Sequence, residues 1–212
     1  MGTVRDIGSI EACGWLEASM DRVVQALHTA FEQHRGQTRK HSKIPYTVHV
    51  LDVARLLLSE PDASEDVVVA GILHDTLEDT PYSAWQMEKE FGPAVRGLVE
   101  FATEPQKDRA TSMAEKRRTW KSRKEHTIMA ARVASTDQLL VLLADKLSNL
   151  QSLEVDLATQ GDEVWDHFNA PRLDIAWYYT TLRDIFGDKL AATRIFRRYD
   201  VLVDEVFGPV GR

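Results

Sequence analysis

Cysteine is almost missing from this sequence, Cys13 being the only one. An intrachain disulfide and a thiolate metal cluster are both excluded, and a reducing, cytoplasmic setting is expected. Long apolar runs are missing as well. No stretch approaches the roughly 18 apolar residues of a membrane span, and Met1 to Glu11 shows no basic start followed by an apolar run, so no signal peptide is expected. Positive charge is in the minority, with 26 Lys and Arg against 33 Asp and Glu and a formal net charge of −7. That balance argues against nucleic-acid binding through bulk electrostatics. An anionic small molecule would need a metal ion or a local basic patch. Strand-like alternation, internal repeats and low-complexity tracts are also absent.

What remains is helical periodicity almost throughout, in a chain of 212 residues that can support one domain with a real core. The spacing predicts an amphipathic helix over Met20–His34, with Val23, Val24, Leu27, Ala30 and Phe31 on one side. A basic loop, Arg35–Lys43, follows it. Pro45 suits a helix start and opens Tyr46–Leu58. After a turn at Glu60–Ser64, Glu65–Leu77 is apolar nearly all round and reads as a central buried helix. Pro81 restarts the chain into a short helix with Trp85 and Met87, broken at Gly92 and Pro93. Ala94–Phe101 comes next. A polar stretch leads into a long helix ending near Val133. Ser135 to Asp137 caps a very apolar helix, Gln138–Leu153. Two C-terminal helices follow Gly161 and Asp162, with their division expected at Gly187. The expectation is a single all-α domain of about ten helices.

Three segments carry metal-ligand residue types where burial makes them costly. His49 lies in PYTVHVLDVARLL, with Val53 and Leu56 further along its face, so it points inward. His74 and Asp75 end the most apolar helix, in GILHDTLEDT. Asp145 follows the apolar run in LLVLLADKLSNL. A lone buried carboxylate costs on the order of several kcal/mol unless paired or coordinated. Asp145 alone could pair with a nearby Lys or Arg. The ordered set of His49, His74, Asp75 and Asp145 points instead to one divalent cation held by two imidazoles and two carboxylates. Such a set suits Mn²⁺, Fe²⁺ or Zn²⁺ bound for catalysis, with open positions for water.

Glu78 and Asp79 follow within five residues. On a continuing helix Asp75 and Asp79, and likewise His74 and Glu78, are i,i+4 neighbours. Two more carboxylates then stand one turn from the metal, suited to general acid–base work on a water or to orienting it. An acidic helix C-terminus opposes the helix dipole, so stability is given up here, which favours function.

HDTLEDT, with PYTVH upstream and LLADKLSNL downstream, resembles the hydrolase domain of the RelA/SpoT family within the HD superfamily of metal-dependent phosphohydrolases. The chain as a whole is similar to the stand-alone small alarmone hydrolases. The likeness runs from about Ala26 to about Leu153, with weaker support through Trp177, Tyr178 and Tyr179. It implies a single HD-domain helical bundle over 17–206, flanked by a flexible N-terminal segment, 1–16, and a tail, 207–212. It also implies release of the 3′-pyrophosphate of guanosine tetra- or pentaphosphate. The usual cation is Mn²⁺, here held by His49, His74, Asp75 and Asp145, with Glu78 and Asp79 serving the attacking water. Asn149 would touch the ribose, and Arg39 and Lys40 the base and phosphates. The partner implied is a small nucleotide, with neither nucleic acid nor membrane.

Two departures stand out. Val50 replaces the proline that usually follows the first histidine, and HSKI before Pro45 lacks a frequent glycine. The second bears on guanine selectivity. Other substrates therefore stay open: an adenine alarmone, a deoxynucleotide or the 2′-phosphate of NADPH, as does a silent nucleotide sensor. In the basic stretch with Lys107, Arg109, Lys116, Arg117, Arg118, Lys121, Arg123 and Lys124, most side chains are expected to form a solvated face, with Trp120 and Ile128 turned inward. Trp177, Tyr178 and Tyr179 read as core. His41 is expected near the substrate mouth.

Overall fold

The computed structural model describes residues 13–40, 42–104 and 112–208. Among them the chain forms ten α-helices and no strand: α1 Cys13–Gln33, α2 Thr47–Leu58, α3 Glu65–Leu73, α4 Thr76–Asp79, α5 Ala84–Phe91, α6 Pro93–Ala102, α7 Met113–Val133, α8 Thr136–Gln160, α9 Arg172–Leu190 and α10 Arg194–Phe207. A 3-10 turn, Gly161–His167, joins α8 to α9. Among the described residues no helix is long and apolar enough to cross a membrane. Of the expected terminal segments, 1–12 and 209–212 lie outside the described residues, as do Lys107, Arg109 and His41.

Local chemistry sets the helix starts. Ser64, Ser83, Ser112, Ser135 and Thr193 each accept a hydrogen bond from a backbone N–H of the following first turn. Ser83 with Gln86 and Ser135 with Gln138 complete capping boxes. Pro93 opens α6 at a position where a missing N–H costs nothing.

Two helices make the centre. Every residue of α3 from Val67 to Leu73 is buried, and α3 packs against α1, α2, α6 and α8. The first half of α8 is equally buried, from Leu139 to Asp145, and α8 packs against α2, α3, α6, α9 and α10. Gly71 lets α2 and α3 approach closely, because a Cβ there would overlap Leu57 Cδ1 and lie 3.3 Å from Val53 Cγ1. This close crossing brings the His49 end of α2 to the His74 end of α3.

Three expectations need correction. The buried stripe of α1 is Val23, Ala26 and Ala30, with Leu27 partly buried against the core, whereas Val24 and Phe31 are 57% and 37% exposed; the inward face follows the i, i+3, i+4, i+7 positions from Val23, and Val24 and Phe31 fall outside it. The central helix does not run to Leu77. It stops at Leu73, turns through His74 and Asp75, and resumes as α4. Finally, Gly187 lies inside α9, and the break falls at 191–193 before Thr193 caps α10. A Cβ on Gly187 would meet Phe196 Cζ at 3.3 Å, so this glycine serves helix packing and not a turn.

Candidate metal centre and nucleotide site

His49 sits in the first turn of α2, His74 closes α3, Asp75 opens α4, and Asp145 lies midway along α8. Their side chains converge. The Nε2 atoms of His49 and His74 are 3.2 Å apart, and Asp145 Oδ1 lies 3.3 Å from His49 Nε2 and 3.6 Å from His74 Nε2. Donor atoms of these three residues all fall within 4.8 Å of one another. Asp75 is outside that mutually close trio, but its Oδ2 reaches His74 Nε2 at 3.0 Å and His49 Nε2 at 3.9 Å. Adjacent donors around one ion, with bonds of about 2.1 Å at right angles, sit about 3 Å apart. The spacing here matches donors that share a cation.

Both imidazoles are aimed from behind. His74 Nδ1 bonds the Gly71 carbonyl at 2.8 Å and His49 Nδ1 bonds Ser148 Oγ at 2.9 Å. The carbonyl can only accept, so His74 carries its proton on Nδ1 and turns Nε2 to the cluster. The local break in the chain is held by Thr76, whose hydroxyl donates to the Leu73 carbonyl at 2.7 Å.

The electrostatics favour positive charge at the centre. Burial pulls the His74 imidazole down, but the charge of Asp75 and the hydrogen bonds that the imidazole donates to Asp145 and Asp75 override it and hold it well above the ordinary histidine range. For His49 burial wins, and the group lies below its ordinary value despite its bond to Asp145. Burial would raise the Asp75 carboxyl, yet His74 draws it far below the usual carboxylate range. One buried carboxylate, Asp145, one half-buried carboxylate, Asp75, and two inward nitrogens therefore fit a divalent cation by chemistry as well as by spacing.

Sequence reasoning missed one partner of the carboxylates. The Tyr46 hydroxyl donates to Asp75 Oδ2. Burial, with the charges of Asp75, Asp145 and Asp79, pushes this phenol far up, so it remains a donor at any working pH. Its ring packs 4.5 Å from that of the buried His34 and 5.5 Å from His49. Tyr46 directly follows the proline that marked the helix start, and a hydroxyl three residues before an inward histidine was the available signal. Asp145 pairs through Oδ2 with Lys146 Nζ at 2.6 Å, so the simple ion pair weighed for it exists beside its approach to the imidazoles.

The expected nucleotide-contacting residues are only partly brought together. Asn149 Nδ2 donates to Asp145 Oδ1 at 2.5 Å, and Arg39 donates to Asn149 Oδ1 at 2.8 Å and lies near Ser152 Oγ at 3.4 Å. Arg39 also stands over the Tyr46 ring at 6.0 Å. Lys40, next to it, is exposed. On α4 the i,i+4 relation of Asp75 and Asp79 is a backbone bond of 2.9 Å. The Asp79 carbonyl accepts from Gln37 Nε2 at 3.1 Å, which fastens the basic loop to α4. Glu78 is met by the Glu104 backbone N–H, which donates to its Oε2 at 2.9 Å. A separate hollow of about 350 Å³ lies against α4, α6 and α7, lined in part by Leu77, Phe101, Thr103 and His126; none of the four convergent donors borders it.

Of the basic stretch, Arg117, Arg118 and Lys121 are exposed as expected, whereas Arg123 and Lys124 are not. Their side chains are each 16% exposed and both pair with Glu104. Tyr178 is buried, and Tyr179 stacks on Tyr199 at 6.2 Å, in keeping with a core role.

With fold and donors in place, the class is an all-helical domain with a candidate metal site. The family profile described as HD domain matches residues 26–176, and the chain belongs to that family. Among its relatives is a Drosophila melanogaster protein named guanosine-3′,5′-bis(diphosphate) 3′-pyrophosphohydrolase MESH1, 36% identical over 140 residues, 65% of this chain and 73% of that one. A putative chloroplastic GTP diphosphokinase RSH1 from Arabidopsis thaliana is 35% identical over 138 residues, 63% of this chain, but the matched part is only 15% of that protein. A solved structure, titled as a metazoan ortholog of SpoT that hydrolyzes ppGpp and plays a role in starvation responses, superposes with a TM-score of 0.63 at 29% identity, covering 90% of this chain and 96% of that one.

Proposed function

We propose that this protein is a metal-dependent phosphohydrolase that removes the 3′-pyrophosphate of guanosine tetra- or pentaphosphate, giving GDP or GTP and pyrophosphate. The observation that carries the reading is the convergence of His49, His74, Asp75 and Asp145 from α2, the α3–α4 break and α8. The names of the MESH1 relatives and of the SpoT-like structure supply the substrate. These four side chains would hold the cation, which we take to be Mn²⁺.

When bound, such a cation supplies Lewis acidity toward a phosphoryl oxygen and lowers the pKa of water at the site. The chain's own groups do the rest. Glu78 takes the proton of the attacking water at its carboxylate, and Asp79 orients that water by hydrogen bonding. Arg39 lays its guanidinium against the purine, Lys40 offers a point charge to the phosphates, and Asn149 bonds the ribose. The Arg39–Asn149–Asp145 chain of hydrogen bonds supports this division, because it links the nucleotide-facing residues to a cation donor.

The test is a nucleotide panel with added Mn²⁺, scored by product. Release of pyrophosphate from guanosine tetraphosphate, abolished by Asp75→Ala, is the expected result. Turnover of only other nucleotides would reassign the substrate, and cation binding without turnover of any of them would leave a sensor.

A further inference from the structure

Glu104 joins two parts of the molecule through two different groups. Its side chain is 13% exposed and pairs with Arg123 Nη1 at 2.5 Å and with Lys124 Nζ, both on α7. Its backbone N–H donates to Glu78 Oε2 on the far side of the same residue. Burial alone would raise the Glu104 carboxyl, but Lys124, Lys146 and Arg123 hold it down at about 2, so it stays ionised. Withdrawing three charged groups from water is expensive, and apolar residues of similar size would fasten two helices at lower cost. An ionic anchor at this place fixes position and direction more than it adds stability.

We propose that Glu104, locked by Arg123 and Lys124, is a positioning residue that sets the orientation of the Glu78 carboxylate; this rests on the reading that Glu78 handles the attacking water. The pairing with α7 fixes the peptide of Glu104, and that peptide's N–H fixes Oε2 of Glu78. A proton acceptor works only when its lone pair is aimed, and a misplacement of about 1 Å costs as much as 10²-fold in rate.

A double-mutant cycle separates this role from simple fastening of α7. Glu104→Gln keeps the size and the N–H but removes the charge. It is expected to lower kcat about 10-fold, with KM and Mn²⁺ affinity unchanged. In a Glu78→Gln background the same change should cost nothing further. Should Glu104→Gln fail to fold, Lys124→Met is put through the same cycle, since it leaves the Arg123 pair intact. An unchanged kcat in Glu104→Gln, or an equal loss with and without Glu78, overturns the proposal. A Glu78→Gln enzyme of undiminished kcat removes the reading beneath it and the proposal with it, whereas a slow Glu78→Gln with an additive Glu104→Gln loss removes the proposal alone.

Discussion

Removing one oxygen atom from Tyr46 isolates the support given to Asp75. In Tyr46→Phe the ring keeps its packing against His34 and His49, while Asp75 Oδ2 loses the hydroxyl that donates to it. A hydrogen bond to a charged group contributes about 1.5–3 kcal/mol. Groups that hold a metal ligand from behind typically change metal affinity or activity by about 10- to 100-fold, equivalent to about 1.4–2.7 kcal/mol. The two figures overlap, so the expected loss of Mn²⁺ affinity is between one and two orders of magnitude. Titration of the chelated protein with Mn²⁺, followed by calorimetry or competition with an indicator, reads this directly. An affinity within twofold of the wild type would refute the argument that Tyr46 holds Asp75 in its ligating orientation.

Two further outcomes follow from the packing and the charges. The Glu104 carboxyl is held at about 2 against an ordinary value of 4.5. Its folded value lies below its unfolded one, so its stabilisation is whole above pH 4.5 and is lost as pH falls from there toward 2, with an upper limit of about 3 kcal/mol. Urea unfolding of wild type and Glu104→Gln across pH 7 to 3 checks this, because the variant should lack that part of the decline. Gly71→Ala would drive a methyl into Leu57, costing about 1–3 kcal/mol in overpacking against at most about 1 kcal/mol gained in helix propensity. A melting temperature lowered by a few degrees is expected, about 2–4 °C per kcal/mol at this size; an unchanged or higher value would contradict the close α2–α3 crossing.

The donor cluster was legible because apolar runs leave so few reasons for a polar residue. His49, His74 and Asp145 stand among Val50, Leu73 and Ala144, all buried, and periodicity alone turns them inward. The break after Leu73 was not legible. Nothing in the apolar pattern of α3 distinguishes a helix that continues from one whose carbonyls are taken by His74 and Thr76, and those bonds are tertiary choices at the end of a strongly helical run. Gly187 misled for the opposite reason: it is a turn signal by composition, but here it makes room for Phe196. The α7 ion pairs were partly readable. Lys124 lies four residues from both Trp120 and Ile128, which places it on the face expected to turn inward, and only its abundance of charged neighbours made it look solvated. Its partner, Glu104, sits 20 positions away, a distance over which sequence spacing carries no information.

The central claim is that four side chains grip one cation, and counting bound metal tests it most directly. After exhaustive chelation and reloading, elemental analysis should find one Mn²⁺ per chain in the wild type and essentially none in Asp145→Ala. Activity should vanish with the metal and return with it. A chelated protein that retains full activity, or that rebinds Mn²⁺ equally well without Asp145, would contradict the account.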